Sequence, residues 1–359
     1  MSRFAISLIW LFATMSTFGA SNAQQPVYAG VTQGRVFAFP ADHGSHPGFR
    51  TEWWYVTGTF ATPDDEQLGF QITFFRTRPP IDQGNMSAFS PKQIIFAHVA
   101  LSDPRVGKLD HDQRVARSGF GLAGASTGNA DVNIKDWLFK SDGTNRFAAK
   151  IATKNFKLDL GFEAQQSILL QGENGFSKKG PNTDDASHYY SIPQLLVSGT
   201  LTRNGEPQKV AGKAWLDHEW SSQYLNPVAA GWDWTGLNFD DGSALMGFRM
   251  RRSDGSTLWA GGTFRRTDGT VFTLEPEMIS FQTVSNWQSG LTNATYPVKQ
   301  SVVIKLPEGS RAFLLTPIFE NQELDGRASG LPVYWEGAVT TPGGAGYLEL
   351  TGYVDRPQL

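Results

Sequence analysis

The sequence predicts an all-β protein built as two antiparallel β-barrels in tandem. Three observations carry that expectation. Apolar and polar side chains alternate along many short runs. Asx-Gly dipeptides recur between those runs. The second half of the chain loosely repeats the first. Alternation with period two puts one set of side chains on each face of a strand. The run Leu68-Gly69-Phe70-Gln71-Ile72-Thr73-Phe74 shows it, as do 157–162, 301–306 and 311–319. The dipeptides are Asp142-Gly143, Asn204-Gly205, Asp241-Gly242, Asp254-Gly255, Asp268-Gly269 and Asp325-Gly326. Asx-Gly tolerates positive φ at both central turn positions, so each is expected to close a two-residue hairpin. No stretch of twelve residues carries apolar positions at helical spacing with proper caps. Hairpins without intervening helices mean antiparallel barrels or sandwiches rather than a parallel sheet.

The repeat is read from two tryptophan strands. Trp54-x-x-x-Gly58-x-Phe60 precedes Asp64 and Asp65 and a strand ending at Arg76. Trp232-x-x-x-Gly236-x-x-Phe239 precedes Asp240 and Asp241 and a strand ending at Arg251-Arg252. Each half then closes on a Gly-rich hairpin, at 197–212 and at 335–352. The expected organisation is a leader over 1–23, a first β-domain over 24–222 and a second over 223–359.

The leader has the three parts of a secretory signal peptide. Arg3 supplies the charge, Phe4 to Phe12 the apolar core, and Ser21-Asn22-Ala23 a small-x-small cleavage site. Cleavage after Ala23 and a periplasmic or secreted location are expected. The chain of 359 residues has no cysteine, which removes disulfides, thiolate metal sites and a cysteine nucleophile. With net charge −3 and no basic runs, it lacks the clustered cations that nucleic acid binding needs.

Two motifs stay close to their structural reading. Gly124-Ala125-Ser126-Thr127-Gly128 matches G-x-S-x-G, but no helix pattern follows, so a loop is expected. His43-Gly44-Ser45-His46 offers two imidazoles; a metal site needs further ligands and outer partners that spacing does not provide. No metal is expected.

The aromatic-acidic strings say more. They are Glu52-Trp53-Trp54-Tyr55, Trp215-Leu216-Asp217-His218-Glu219-Trp220 and Trp232-Asp233-Trp234. On a strand, Trp215, Asp217 and Glu219 share one face, and Leu216, His218 and Trp220 the other. Either choice of inward face buries an ionisable group beside indole. Such a group is paired or has a displaced pKa. One reading is a polar network locking two domains together. The other is a carboxylic acid held neutral, able to donate a proton near pH 7.

At these strings the chain resembles a known family. His46-Pro47-Gly48-Phe49-Arg50-Thr51-Glu52-Trp53-Trp54-Tyr55-Val56-Thr57-Gly58 is similar to the opening signature of the AttH-like secreted proteins. These are often labelled predicted hydrolases and are grouped with the carotenoid 1,2-hydratases (hydroxyneurosporene synthases). Phe96-Ala97-His98, the segments 188–195, 214–221 and 231–234, and the ending 334–353 resemble the same family. The resemblance implies two lipocalin-like, calycin-type β-barrels. It implies no redox cofactor, and the hydratase branch adds water to a terminal C=C of an acyclic carotenoid. The expected catalytic candidates are Asp217, His218 and Glu219. The expected ligand-binding residues are Glu52, Trp53, Trp54, His98, Tyr189, Tyr190, Trp220, Trp232, Asp233 and Trp234. The expected partner is a hydrophobic small molecule, lipid or isoprenoid, with a membrane or transporter complex as a further association. Binding or carriage of such a molecule is the first functional reading; a hydratase or hydrolase with a buried carboxylate as general acid is the alternative.

Overall fold

The computed structural model describes residues 27–81, 84–87, 89–143 and 145–357. The leader expected over 1–23 lies outside them. Strands β1 (Thr51–Ala61), β2 (Gln67–Thr77), β3 (Ile94–Ser102), β4 (Asp110–Arg117), β5 (Ala123–Ala125), β6 (Asp131–Ile134) and β7 (Trp137–Ser141) open the fold. They are followed by β8 (Arg146–Ala152), β9 (Phe156–Glu163), β10 (Leu169–Leu170), β11 (Phe176–Lys178), β12 (Ala186–Arg203) and β13 (Glu206–Gln223). These thirteen strands form one antiparallel sheet, ordered β4-β3-β2-β1-β13-β12-β9-β8-β7-β6-β5, with β10 and β11 on β12. The sheet curls until its ends meet. Arg114 of β4 donates to Asp136, in the turn after β6, at 2.5 Å and lies over the Trp137 ring at 4.1 Å. The barrel is nearly closed.

The second sheet contains β14 (Gly231–Phe239), β15 (Ala244–Arg251), β16 (Thr257–Arg265), β17 (Val271–Leu274), β18 (Ile279–Gln288) and β19 (Thr295–Leu306). It ends with β20 (Gly309–Pro317), β21 (Glu323–Asp325), β22 (Val333–Thr341) and β23 (Gly344–Thr351). Its order is β17-β16-β15-β14-β23-β22-β20-β19-β18, with β21 on β22. Among the described residues there is no α-helix; three short 3-10 turns complete the chain. The fold is the all-β, two-barrel, lipocalin-like one that the alternation and the resemblance indicate.

The internal repeat has a topological basis. β1 lies between β2 and the last strand of its sheet, β13; β14 lies between β15 and the last strand of its own, β23. The superposition of Trp54 on Trp232 needs correction, however. Trp54 points into the first barrel, among Val56, Phe74 and Ile95. Trp232 points away from the second barrel's core, toward the other sheet. The residue that plays Glu52's part in the second half is Asp233. Glu52 stands opposite Arg76 on β2, and Asp233 opposite Arg249 on β15.

The Asx-Gly turns divide. Only Asn204-Gly205, between β12 and β13, has both residues at positive φ, 53° and 83°. At four others the glycine alone is positive, and Asp325-Gly326 enters a 3-10 turn instead. Longer turns built on an Asp side chain accept the following backbone N–H groups, as Asp254 and Asp268 do.

Three large apolar clusters fill the molecule, with a small fourth at Ala100, Leu109, Leu324 and Tyr334. One lies inside each barrel. The third lies between them, built from Tyr55, Tyr189, Trp215, Trp234, Met246 and Phe248 among others. The outer face of the first barrel along β1, β2, β12 and β13 packs on the outer face of the second along β14, β15, β22 and β23. At Gly69 an added Cβ would stand 2.5 Å from that of Ala338, so only glycine lets β2 and β22 approach this closely.

Candidate functional site

Strand alternation divides the aromatic-acidic strings between two places. On β13, Leu216, His218 and Trp220 face the first barrel's interior, while Trp215, Asp217 and Glu219 face the junction. Both faces are buried, because the second barrel covers the outside of the first.

The junction holds a cavity of about 100 Å³. By a measure in which one water takes ~10–15 Å³, that is room for on the order of ten waters. Its first wall carries Trp53 and Tyr55 from β1, Phe75 from β2, Tyr189 from β12, and Asp217 and Glu219 from β13. Its second wall carries Trp232 and Trp234 from β14, Phe248 and Met250 from β15, Tyr334 and Glu336 from β22, and Glu349 from β23. Lys179, Tyr224, Leu331, Pro332 and the threonines Thr51, Thr73 and Thr351 complete the lining.

Four carboxyl groups therefore share one largely aromatic space, each with a different set of partners. Asp217 accepts from three neutral donors: Tyr189 Oη at 2.7 Å, Ser191 Oγ at 2.5 Å and Trp215 Nε1 at 2.6 Å. Trp234 Nε1 donates to Tyr189 Oη at 3.0 Å, so a chain of hydrogen bonds runs from the second sheet to Asp217. Burial outweighs these bonds and pushes Asp217 up to about 7. Glu349 accepts from Trp232 Nε1 and Thr351 Oγ1, both at 2.8 Å, and burial pushes it to about 7 as well. Glu336 stands directly opposite Glu349 in the β22–β23 register. It is 2% exposed, makes no well-directed hydrogen bond through either oxygen, and has only the hydroxyls of Tyr55 and Tyr334 against it. Burial, with the Glu349 charge beside it, holds its pKa well above the usual carboxylate range. Glu219 pairs with Lys179 Nζ at 3.0 Å. That ammonium lies over the Tyr189 ring at 4.5 Å and over Phe248 at 4.2 Å.

The inward-facing groups form a different assembly. Glu52 Oε1 is bonded by His46 Nδ1 at 2.7 Å and His218 Nε2 at 2.9 Å; Oε2 takes Arg76 Nε at 2.7 Å. Asp42 holds the far nitrogen of His46 at 3.0 Å, and its backbone oxygen meets His218 Nδ1 at 3.0 Å. Trp220 stacks on His46 at 3.7 Å. Burial opposes the Glu52 charge, but the two imidazoles and Arg76 overcome it and hold Glu52 below its ordinary range. His46 is raised despite burial, because Asp42 and Glu52 flank it. The atoms of His46, Glu52 and His218 that could hold a metal lie within 4.8 Å of one another. They already touch as hydrogen bonds, and bonds of ~2.0–2.2 Å to one ion would require them to part.

The expected site residues are thus distributed. Asp217, Glu219, Trp53, Tyr189, Trp232 and Trp234 line the junction cavity. His218, Glu52, Trp54, Tyr190 and Trp220 lie inside the first barrel. Asp233 lies inside the second, bonded by Arg249 Nε at 2.7 Å, Arg251 Nε at 2.8 Å and Tyr353 Oη at 2.9 Å. His98 bridges the sheets beside the cavity, with Tyr334 Oη at 2.8 Å and Ser329 Oγ at 2.9 Å. His43 meets Tyr190 Oη at 2.6 Å. Ser126 follows β5 in a loop. Sequence reasoning passed over Tyr55, Lys179, Glu336 and Glu349. The rule that selected the other strings, an acid next to indole, would have found Glu336 beside Trp335.

The same overall fold occurs in known proteins. The AttH-like family model matches residues 30–353. A Nitrosomonas europaea protein assigned as AttH is 49% identical, superposes with a TM-score of 0.84, and is matched over 91% of this chain and all of its own. Kievitone hydratase from Nectria haematococca shares the fold at 16% identity, with a TM-score of 0.66 over 91% of this chain and 96% of its own. CghA, solved with Sch210972, shares it at 12% identity and a TM-score of 0.52, over 83% and 87%. No curated protein matches the chain in sequence. A family match across both barrels, joined to 49% identity over a complete neighbour, makes this chain a member of the AttH-like family.

Proposed function

We propose that this protein is a proton-transfer enzyme that adds water to a carbon–carbon double bond of an apolar small molecule bound between its barrels. The observation that carries the reading is Asp217: a carboxyl on an aromatic wall, fixed by three neutral donors, titrating at about 7. A general acid works best when its pKa lies near the working pH. In the proposed step the Asp217 proton goes to the less substituted alkene carbon, and the C=C π pair forms the new C–H bond. The adjacent carbon becomes cationic, in a space walled by rings whose faces attract positive charge. A water attacks that carbon, and Glu349, on the facing wall, takes the proton the water loses. Proton return from Glu349 to Asp217 through solvent restores both carboxyls. Atoms balance as alkene plus water giving alcohol.

The cavity has room for a small molecule or for the end of a longer chain, which suits an isoprenoid terminus better than a whole polyene. The hydratase named among the structural neighbours shares only the fold, so the proposal stands on the cavity's own chemistry. The leader read at Arg3 to Ala23 supports an exported protein that meets its ligand at a membrane. A carrier without chemistry is the second reading, favoured by the aromatic lining.

The test is incubation of the chain beginning at Gln24 with acyclic isoprenoids in ¹⁸O-water. The expected product is one water heavier and carries ¹⁸O, and Asp217→Asn lowers the rate ~10²–10⁴-fold, the usual range for a lost general acid. No labelled product, with an apolar molecule recovered unchanged from the protein, would replace the enzyme by the carrier.

A further inference from the structure

We infer that the junction cavity holds a cation subsite at Glu336, made to receive a substituted ammonium group on the bound molecule. The claim rests on the cavity of the preceding section but concerns the ligand's charge, not the reaction.

Three features lead there. Glu336 is 2% exposed, lines the cavity, makes no well-directed hydrogen bond through either oxygen, and has only the hydroxyls of Tyr55 and Tyr334 against it. Tyr55 Oη, against that carboxyl, makes no well-directed hydrogen bond either. A buried polar group left unpaired costs ~1–3 kcal/mol, more for a charged one, so it marks a place where something binds. Second, carboxyls outnumber cations here. Lys179 is the one Lys or Arg among the lining residues, and Glu219 already engages it. Third, the protein shows how this cavity treats a cation. The Lys179 ammonium sits against a carboxylate with aromatic faces at 4.2 and 4.5 Å. Glu336 is a second carboxyl of the same aromatic-lined cavity, with the hydroxyls of Tyr55 and Tyr334 beside it and no ammonium against it. Carboxylate plus aromatic faces is the chemistry that recognises quaternary and tertiary ammonium groups. A ligand hydroxyl would satisfy one oxygen of Glu336 but would bring no positive charge to a cavity in which carboxyls outnumber cations.

The probe pair is choline and 3,3-dimethylbutan-1-ol, which differ by N⁺ for carbon. Quenching of Trp53, Trp232 and Trp234 fluorescence reports occupancy. Choline is expected to bind at least tenfold more tightly than the alcohol. Glu336→Gln should erase that preference and leave alcohol binding unchanged, while Tyr55→Phe, which keeps the ring, should retain it. Equal binding of the two probes, no choline binding up to ~10 mM, or a preference that survives Glu336→Gln would overturn the inference. Because Asp217, Glu219 and Glu349 share the cavity, Glu336→Met is the second variant if Glu336→Gln fails to fold, and it too should erase the preference. Turnover plays no part in it. A chain that prefers choline yet hydrates nothing sinks only the enzyme reading; a chain that hydrates alkenes but ignores charge sinks only the subsite.

Discussion

Two sets of buried carboxyls lie on opposite faces of the two sheets, and their fates differ. Glu52, inside the first barrel, is fully buried and held in its charged form by Arg76, His46 and His218. Asp217, 2% exposed on the junction face of β13, meets only neutral donors and is pushed to about 7. Burial is the largest influence on both and opposes ionisation in both. The sign of the partners separates them. Asp233 repeats the Glu52 solution in the second barrel with Arg249 and Arg251. Each barrel thus encloses one acid with guanidinium partners, and the space between the barrels collects acids with few. Carboxyls matched to fixed cations serve the fold; carboxyls left without them are available for chemistry.

The largest test of this contrast breaks the matched side. Arg76→Met should take the guanidinium from Glu52 Oε2 and from the carbonyl oxygens of His46 and Phe49, leaving Glu52 its bonds to His46 and His218. Removing one partner of a buried ion pair costs ~3–5 kcal/mol. Urea unfolding at pH 7 measures it, and a loss under ~1 kcal/mol would mean that the imidazoles alone hold Glu52. The pH dependence follows from the depressed pKa. A lowered carboxyl contributes stability that is present above its unfolded value of 4.5 and lost as pH falls toward the folded value. The variant should therefore lose stability on acidification less steeply than the parent.

The unmatched side carries the opposite sign. Asp217 has a folded pKa of about 7 against an unfolded value of 3.8. Its neutral form is favoured by the fold, so its contribution is full below pH 3.8 and lost as pH rises toward 7. At ~1.4 kcal/mol per pH unit the swing is on the order of 3–4 kcal/mol. Asp217→Asn, which cannot ionise, should gain on the parent by about that amount between pH 4 and pH 8 in urea unfolding. Parallel stability profiles would show that Asp217 ionises freely and is no acid reserve. The carboxyls of the two regions thus pull the stability optimum apart: the barrel interiors favour neutral pH, the junction favours acid.

Much of this architecture was legible in the chain. The alternation in Leu68–Phe74 and the Asn204-Gly205 turn required nothing beyond their own residues, because period and turn chemistry are local. The acid-beside-indole strings pointed to buried ionisable groups, and Asp217 is one. Which face of β13 meets which space was not legible. A strand pattern marks two faces but does not say that a second barrel covers the outer one. That is why Asp217, His218 and Glu219, adjacent in sequence, belong to two separate assemblies. Glu349 escaped because it joins Asp217's cavity only when β23 packs against β1, across the junction; Glu336 sits beside Trp335, but nothing local says that β22 lies against β2. Lys179, in the sequence Lys178-Lys179-Gly180, has the look of a solvated loop; only the fold places it 5% exposed against Glu219.

Lys179 and Glu219 also give the smallest expected effect and the sharpest division between fold and function. Lys179→Met alone should cost several kcal/mol, since it strands a buried carboxylate. The double variant Lys179→Met/Glu219→Leu replaces the pair by apolar groups of similar volume, and such replacements are often neutral or stabilising. Its unfolding free energy should lie within ~1 kcal/mol of the parent. If the double variant is as damaged as the single one, the pair is a structural lock between the barrels, like Glu52 and Arg76 within one. If it folds normally yet binds or turns over apolar ligands differently, the junction's charges are retained for what enters the cavity. Stability and ligand response then separate along the two faces of β13.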